Sequence, residues 1–148
     1  MTLKEDMLTI KTGAEGADAG CAKQSGTGFE GHEFFEASSI RKINGRYYFV
    51  YSSVKGHELC YAVSDRPDEG YTYGGVVVDN ADIFEGDPNR QEGVMAQGNN
   101  HGGIEEANGQ WYVFYHRQTD RGSFSRQACA EKIFFDSQGR IRQAEITS

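Results

Sequence analysis

Glu36, which follows two phenylalanines, is the residue of this sequence best suited to acid chemistry. Phe34 and Phe35 could place an apolar wall beside its carboxyl group, and such a wall favours the protonated form that donates a proton. The alternative is that Glu36 only accepts hydrogen bonds from turn amides. The residue types alone leave both interpretations open.

A second candidate, His101, follows two asparagines and precedes Gly102 and Gly103. Glycines in a strand let the backbone come close to a neighbour or a ligand. A lone histidine is more often a hydrogen-bonded core residue than a metal ligand. Calcium also takes more oxygen ligands than one histidine can supply, so water would have to fill most of its coordination sphere.

Two β-hairpins of the same pattern place these residues in comparable positions. Asn44-Gly45 and Asn108-Gly109 each stand between two apolar runs, and Asn-Gly favours a type I′ turn because both central residues need positive φ. The strand after each turn is unusually aromatic, with the sequences RYYFVY and QWYVFY. Repetition of this hairpin predicts a repeat architecture.

Neither aromatic strand alternates apolar with polar residues, so we expect both of its faces to be covered by other sheets. Four-stranded antiparallel units packed face to face are the blades of a β-propeller, and the small polar residues of each first strand suit a crowded central channel. The sequence therefore predicts an all-β fold, a partial β-propeller with two four-stranded antiparallel blades after an N-terminal strand and loop. A two-sheet sandwich is the alternative. The strands expected in the blades are Ala37–Ile43, Arg46–Ser53, Glu58–Ser64, Tyr71–Asp79, Gly102–Ala107, Gln110–Arg117, Ser125–Phe135 and Ile141–Ile146.

This fold makes the chain a single partial propeller domain. We expect a stub strand and loop over residues 1–35, a first blade over 36–79, a loop over 80–98 and a second blade over 99–148. Two blades cannot close a ring, and their uncovered faces would be large apolar surfaces. We therefore expect either that N-terminal blades are missing from this sequence or that copies associate as a homo-oligomer.

Composition argues against several kinds of partner. The 148 residues include 22 acidic and 15 basic side chains, a net charge of −7, and the basic ones are scattered. Nucleic acids and anionic membrane surfaces favour clustered Lys and Arg, so we expect neither as a partner. No segment is apolar for long enough to span a bilayer, and no basic-then-apolar leader predicts a signal peptide. The compartment stays open.

The other residues capable of chemistry give no functional signal. Glu105 and Glu106 are adjacent on a predicted strand and face opposite sides, so we interpret them as structural. The three cysteines show no metal-binding spacing, and free cysteines usually behave as buried small hydrophobes. The cysteines are Cys21, Cys60 and Cys129. Two histidines, His32 and His57, lie near turns without any pattern around them.

Three stretches resemble the C-terminal half of the catalytic domain of glycoside hydrolase family 43, namely FFEASSIRKINGRYYFVYSS, NNHGGIEEANGQWYVFYHR and FSRQACAEKIFFD. The resemblance covers most of Phe34–Ser148. It implies a five-bladed propeller enzyme that removes arabinose or xylose units from plant polysaccharides and that is secreted or periplasmic. It also implies that Glu36 is the general acid, that His101 is a channel histidine associated with a calcium ion, and that Arg126 lies near the substrate sugar. Phe35 is a candidate for stacking on a sugar face, although core packing is the commoner fate of an aromatic ring.

Family 43 is inverting, and its base aspartate and a second, acid-tuning aspartate come from earlier blades. No stretch of this sequence matches either motif. Without motif support, the only aspartates to consider opposite Glu36 are Asp6, Asp18, Asp82 and Asp87. The resemblance therefore implies part of a glycosidase with its acid present and its base missing. The alternative is a non-catalytic half-propeller that associates with itself and binds carbohydrate weakly at most.

Overall fold

The computed structural model describes residues 28–93, 98, 100–118 and 124–147, and the regular structure in them is entirely β-strand. The expected N-terminal strand lies outside these residues. The first blade is one antiparallel sheet in the order β1-β2-β3-β4. Its strands are β1 (Phe34–Ile43), β2 (Arg46–Ser53), β3 (Glu58–Ser64) and β4 (Thr72–Asp79). In the described ranges no helix is long and apolar enough to cross a membrane.

The two Asn-Gly turns have the predicted backbone. Asn44 and Gly45 have φ of 49° and 86°, and Asn108 and Gly109 have φ of 52° and 78°. Positive φ at both central positions matches the right-handed twist of the flanking strands, which fixes the register of each hairpin. Local turn chemistry therefore sets how the innermost strand of each blade pairs with its neighbour.

The second blade is an antiparallel sheet of three strands in the order β5-β6-β7. They are β5 (His101–Ala107), β6 (Gln110–Arg117) and β7 (Gln127–Lys132), and a separate hairpin follows, formed by β8 (Phe134–Phe135) and β9 (Ile141–Arg142). The predicted fold class, an all-β partial propeller, is thus confirmed. The last predicted strand, however, does not extend this sheet in the described residues.

The C-terminal segment crosses to the first blade. The amide of Ile141 donates to the Tyr61 hydroxyl over 2.9 Å, and the amide of Ala144 donates to the carbonyl of Val77 over 2.8 Å. Ala144 also forms a parallel bridge with Val78 of β4. Burial of Ile141 and Ala144 against the first blade, to 6% exposure each, explains why this segment leaves the second sheet.

The main core lies between the two blades. One face of β2 contributes Tyr48 and Val50 to it, and the second blade contributes Ile104, Val113 and Tyr115. The opposite face of β2 belongs to a second apolar cluster, whose buried members are Phe29, Phe49, Tyr51, Cys60, Ala62, Tyr71 and Val76. Both faces of the aromatic strand β2 are therefore covered, as its sequence predicted.

The second blade is covered on one face only within the described part of the chain. Phe114 of β6 is 46% exposed, and Phe134 of the separate hairpin is 58% exposed. Phe114 lies opposite Ala130 of β7 in the ladder, on the face turned away from the first blade. This uneven coverage distinguishes the two blades.

Replacing Ile104 by Ala tests the shared core. Ile104 is fully buried between the blades, so we expect the free energy of unfolding in urea to fall by about 2–5 kcal/mol. The matched change Ile40→Ala, at a position 37% exposed, should cost less than about 1 kcal/mol. Equal losses in the two variants would contradict a core shared between the blades.

Candidate active site

Glu36 lies at an irregular point of β1. The pairing of β1 with β2 shifts register between Phe34 and Glu36 and again between Glu36 and Ser39. Ala37, the next residue, has φ of 61°, which is uncommon for a residue with a side chain. Bulges of this kind re-aim a side chain and are frequent beside active sites, where backbone strain is retained for function.

The carboxyl group of Glu36 meets His101 of the second blade. Glu36 Oε1 lies 2.8 Å from His101 Nε2, and both side chains are about half exposed, at 50% and 44%. The His101 ring also lies against His116, with ring centroids 5.3 Å apart. The structure thus brings together the two residues that the sequence singled out separately.

Gly103 allows this approach of β5 to β1, and Gly102 allows β5 to lie close to β6. A Cβ atom added at Gly103 would lie 2.8 Å from Ser39 Oγ, and one added at Gly102 would lie 2.5 Å from the carbonyl oxygen of Phe114. Real Cβ atoms do not tolerate such distances, so a side chain at Gly103 would push β5 away from β1, and one at Gly102 would push β5 away from β6. The close backbone approach predicted for Gly102-Gly103 is therefore present.

Further contacts hold the first strands of the two blades together, and we call this β1–β5 contact the seam. Arg41 Nε donates to Glu105 Oε2 over 2.9 Å. The Ser52 hydroxyl donates to the carbonyl of Asn100, just before β5. Glu105 is thus structural, as expected, and these bonds fix the position of His101 relative to Glu36.

The other predicted site residues lie at the same end of the blades. Phe35 is 61% exposed beside Glu36, whereas the Phe34 ring packs 5.8 Å from that of Phe49 and 5.9 Å from that of Tyr51. Arg126 is exposed and precedes β7, at the end of the second sheet that carries His101. Substrate contacts by Phe35 and Arg126 stay predictions.

The aspartates considered as partners for Glu36 have other roles where they are described. Asp82 pairs with Arg90. Asp87 accepts a hydrogen bond from the amide of Asn89 over 2.9 Å. Both contacts lie within the loop after β4. Asp6 and Asp18 lie outside the described residues.

The described residues beside His101 do not make a calcium site by themselves. Calcium takes six to eight oxygen ligands, and the Nε2 atom of His101 is already engaged by the carboxylate of Glu36. The association of His101 with calcium therefore stays a prediction of the resemblance, and the chemistry proposed below uses no calcium ion.

A buried polar cluster was missed by sequence reasoning. His32 Nδ1 lies 2.7 Å from Glu58 Oε1, and the Ser53 hydroxyl donates to the same oxygen over 2.6 Å. Burial opposes ionisation of Glu58, yet these two hydrogen bonds hold its pKa below the ordinary value. The available signal was Glu58 itself, because a carboxylate within an otherwise apolar strand requires buried partners.

Comparison with known proteins finds relatives that are xylosidases and arabinosidases. The sequence is 57% identical over 124 residues to a xylosidase/arabinosidase of Thermoclostridium stercorarium and 35% identical over 113 residues to a β-xylosidase of Xylanibacter ruminicola. The alignments cover 83% and 75% of this chain but only 26% and 31% of those relatives. The chain thus spans less than a third of their length. No protein-family model matches the sequence.

Solved structures agree with these relatives. A family 43 β-xylosidase/α-arabinofuranosidase from a compost metagenome, solved with xylotriose in a calcium-free form, superposes with a TM-score of 0.61 at 30% identity. The match covers 78% of this chain and 32% of that one. A family 43 arabinoxylan arabinofuranohydrolase of Bacillus subtilis, solved with cellotetraose, gives a TM-score of 0.62 at 25% identity and covers 77% and 25% of the two chains.

The ion pair between Arg41 and Glu105 across the seam leads to a prediction about the titration of Glu105. The hydrogen bond from Arg41 holds the pKa of Glu105 below its ordinary value in the folded chain. A lowered pKa stabilises the fold at pH above the ordinary glutamate value, and this contribution is lost as the pH falls through the lowered pKa. We expect Arg41→Gln to raise the titration midpoint of Glu105, measured by carbon-13 NMR of its carboxyl group.

The control for this change is Arg46→Gln, which removes an exposed ion pair to Asp65 at a distance of 3.5 Å. It should leave the midpoint of Glu105 where it is. Added salt should reduce the difference in the Glu105 titration midpoint between wild type and Arg41→Gln, since Arg41 and Glu105 are both exposed and salt screens their attraction. A midpoint unchanged in Arg41→Gln would show that the guanidinium does not hold the carboxylate.

Proposed function

Since sequence and fold make the chain part of glycoside hydrolase family 43, we propose that it supplies the proton donor of an inverting glycosidase. The substrates are polysaccharides that contain arabinose or xylose. The observation that carries this proposal is the half-exposed carboxyl group of Glu36, aimed by a bulge and held 2.8 Å from His101 at the seam. The names of the relatives, xylosidases and arabinosidases, supply the substrate class.

Glu36 is the general acid in this proposal. Inverting hydrolysis uses one protonated carboxyl group, one ionised carboxyl group and a water molecule beside the latter, with the two groups about 6.5–9.5 Å apart. In this proposal the Nε2–H group of His101 donates a hydrogen bond to Glu36 Oε1, which leaves Oε2 to carry the acidic proton. This proton passes to the glycosidic oxygen as the bond to the sugar breaks.

The base is the part of this chemistry that the described residues do not supply. Asp82 and Asp87 are held by contacts within their own loop, as described above. The ionised carboxylate that activates water comes in this proposal from a propeller blade beyond the two described here. Phe35 stacks on a sugar ring, and Arg126 donates to sugar hydroxyls through its planar guanidinium.

The second candidate function is a non-catalytic half-propeller that associates with itself. The exposed ring of Phe114 favours it, since this ring lies on a face of the second blade left uncovered in the described residues, and Phe134 of the separate hairpin is exposed as well. Association would bury this face. A monomer of 16.4 kDa by light scattering over a range of concentrations would rule this candidate out.

The leaving group of the substrate tests the role of Glu36. Removing a general acid costs about 10²–10⁴ in rate when the leaving group needs a proton. Glu36→Gln should therefore lose most activity on xylobiose and on methylumbelliferyl xylosides and arabinosides. Activity on dinitrophenyl glycosides should be largely spared, because that leaving group departs unprotonated. The measurement is kcat/KM for each substrate.

Glu106→Gln is the matched control, because Glu106 is also an exposed glutamate on a first strand. It should leave every rate unchanged. A rate that rises with the square of chain concentration would indicate that a second copy supplies the base. Equal losses in Glu36→Gln on good and poor leaving groups would overturn the acid assignment. Absence of turnover by the wild type at all concentrations is the result expected when no second copy supplies the base, and the mass from light scattering then separates the two candidates.

A further inference from the structure

Three buried side chains of different chemistry converge beneath the turn that precedes β1. They are His32, Glu58 and Cys60, and their ligand atoms all lie within 4.8 Å of one another. His32 Nδ1 is 2.7 Å from Glu58 Oε1 and 3.9 Å from Cys60 Sγ. We propose that these three residues form a binding site for a divalent transition metal ion of the zinc type.

The donor set selects the class of metal. One imidazole nitrogen, one carboxylate oxygen and one thiolate sulfur are the three ligand types that zinc takes, in tetrahedral arrangements. A thiolate donor disfavours calcium and magnesium, which prefer oxygen ligands only. This site is therefore chemically distinct from the calcium expected near His101, and it does not depend on the proposed glycosidase activity.

A second carboxylate orients the histidine as metal sites require. Glu85 Oε1 lies 2.8 Å from His32 Nε2, on the side of the ring away from Glu58. A carboxylate on the far nitrogen fixes the proton there and leaves the Nδ1 lone pair directed at Glu58 and Cys60. The stacked ring of Tyr73, with centroids 4.8 Å apart, holds the plane of the imidazole.

The backbone around the site is already ordered. The amide of His32 donates to the carbonyl of Phe29 over 2.8 Å, and the carbonyl of His32 accepts from the Tyr51 hydroxyl over 2.8 Å. Glu58 and Cys60 stand two apart on β3, so their side chains share a face. The ligands thus come from two segments that are fixed independently of any ion.

Among the described residues, Lys55 places a cation beside these ligands. Its Nζ atom is 3.5 Å from Glu58 Oε2 and 3.5 Å from each ring nitrogen of His32. Its side chain is 38% exposed, so it can turn out into solvent when a metal ion enters. The Cys60 thiol gives its proton to water as the Sγ–metal bond forms.

The same geometry has one metal-free explanation, an imidazolium ion of His32 that donates to Glu58 from Nδ1 and to Glu85 from Nε2. Metal binding separates the two. The full 148-residue chain, stripped with chelator and dialysed against Zn²⁺, should retain one zinc ion per chain. Dialysed against Co²⁺, it should show a sulfur-to-cobalt charge-transfer band in the near ultraviolet.

Single substitutions then identify the ligands. Cys60→Ser should abolish the charge-transfer band and weaken zinc binding at least 100-fold, whereas Cys129→Ser, outside the cluster, should change neither. Glu85→Gln tests the orienting carboxylate on an exposed loop, where folding is not at risk, and should weaken binding about 10–100-fold. Glu36→Gln should bind zinc with wild-type affinity. Failure of the zinc-binding test would therefore be distinguishable from failure of the general-acid assignment of Glu36.

Several outcomes would overturn the metal site. They are absence of stoichiometric zinc, a cobalt complex without the charge-transfer band, and wild-type affinity in Glu85→Gln. Loss of the band in Cys129→Ser would do the same. If Cys60→Ser does not fold, the cobalt spectrum of the wild type and the zinc affinity of Glu85→Gln still decide the question.

Discussion

The close approach of β1 and β5 is the constraint on which the candidate active site depends. Glycine at position 103 removes the side chain that would separate these two strands, and Ser39 fills the space that remains. Only at this separation can Glu36 of one blade reach His101 of the other. A pair made of residues from two blades therefore reports directly on how the blades pack, and Ile104 in the core behind it maintains that packing.

The features predicted correctly from the sequence are those that local chemistry determines. Asn-Gly requires positive φ, so both hairpins could be placed from a dipeptide, and the continuous apolar pattern of RYYFVY required cover on both faces. The sequence predicts one strand over Ser125–Phe135, because no Gly or Pro interrupts the segment between the two flanking turns. Within it the structure separates β7 from β8, since the residues after Ile133 pair with Ile141 and Arg142 instead of the second sheet. No local signal marks such a change of partner.

For the candidate site, the sequence identified individual residues but not the contacts between them. Glu36 and His101 stood out by residue type and by resemblance, but their hydrogen bond joins positions 65 apart. His32 and Glu58 are 26 apart, and a turn histidine beside a hydrophobic strand gives no pattern. Contacts decide what these groups do, and these contacts depend on packing between segments that are distant in the chain.

Pairing of Ala144 with β4 has a consequence for how the protein is made on the ribosome. The hydrogen-bonding edge of β4 is complete in sequence long before residues 141–144 have been synthesised to cover it. Until then the nascent chain presents an unpaired strand edge, the kind of surface through which growing chains add to one another. Slow translation of the intervening segment would prolong that exposure, and a chaperone that shields strand edges would matter most during this interval.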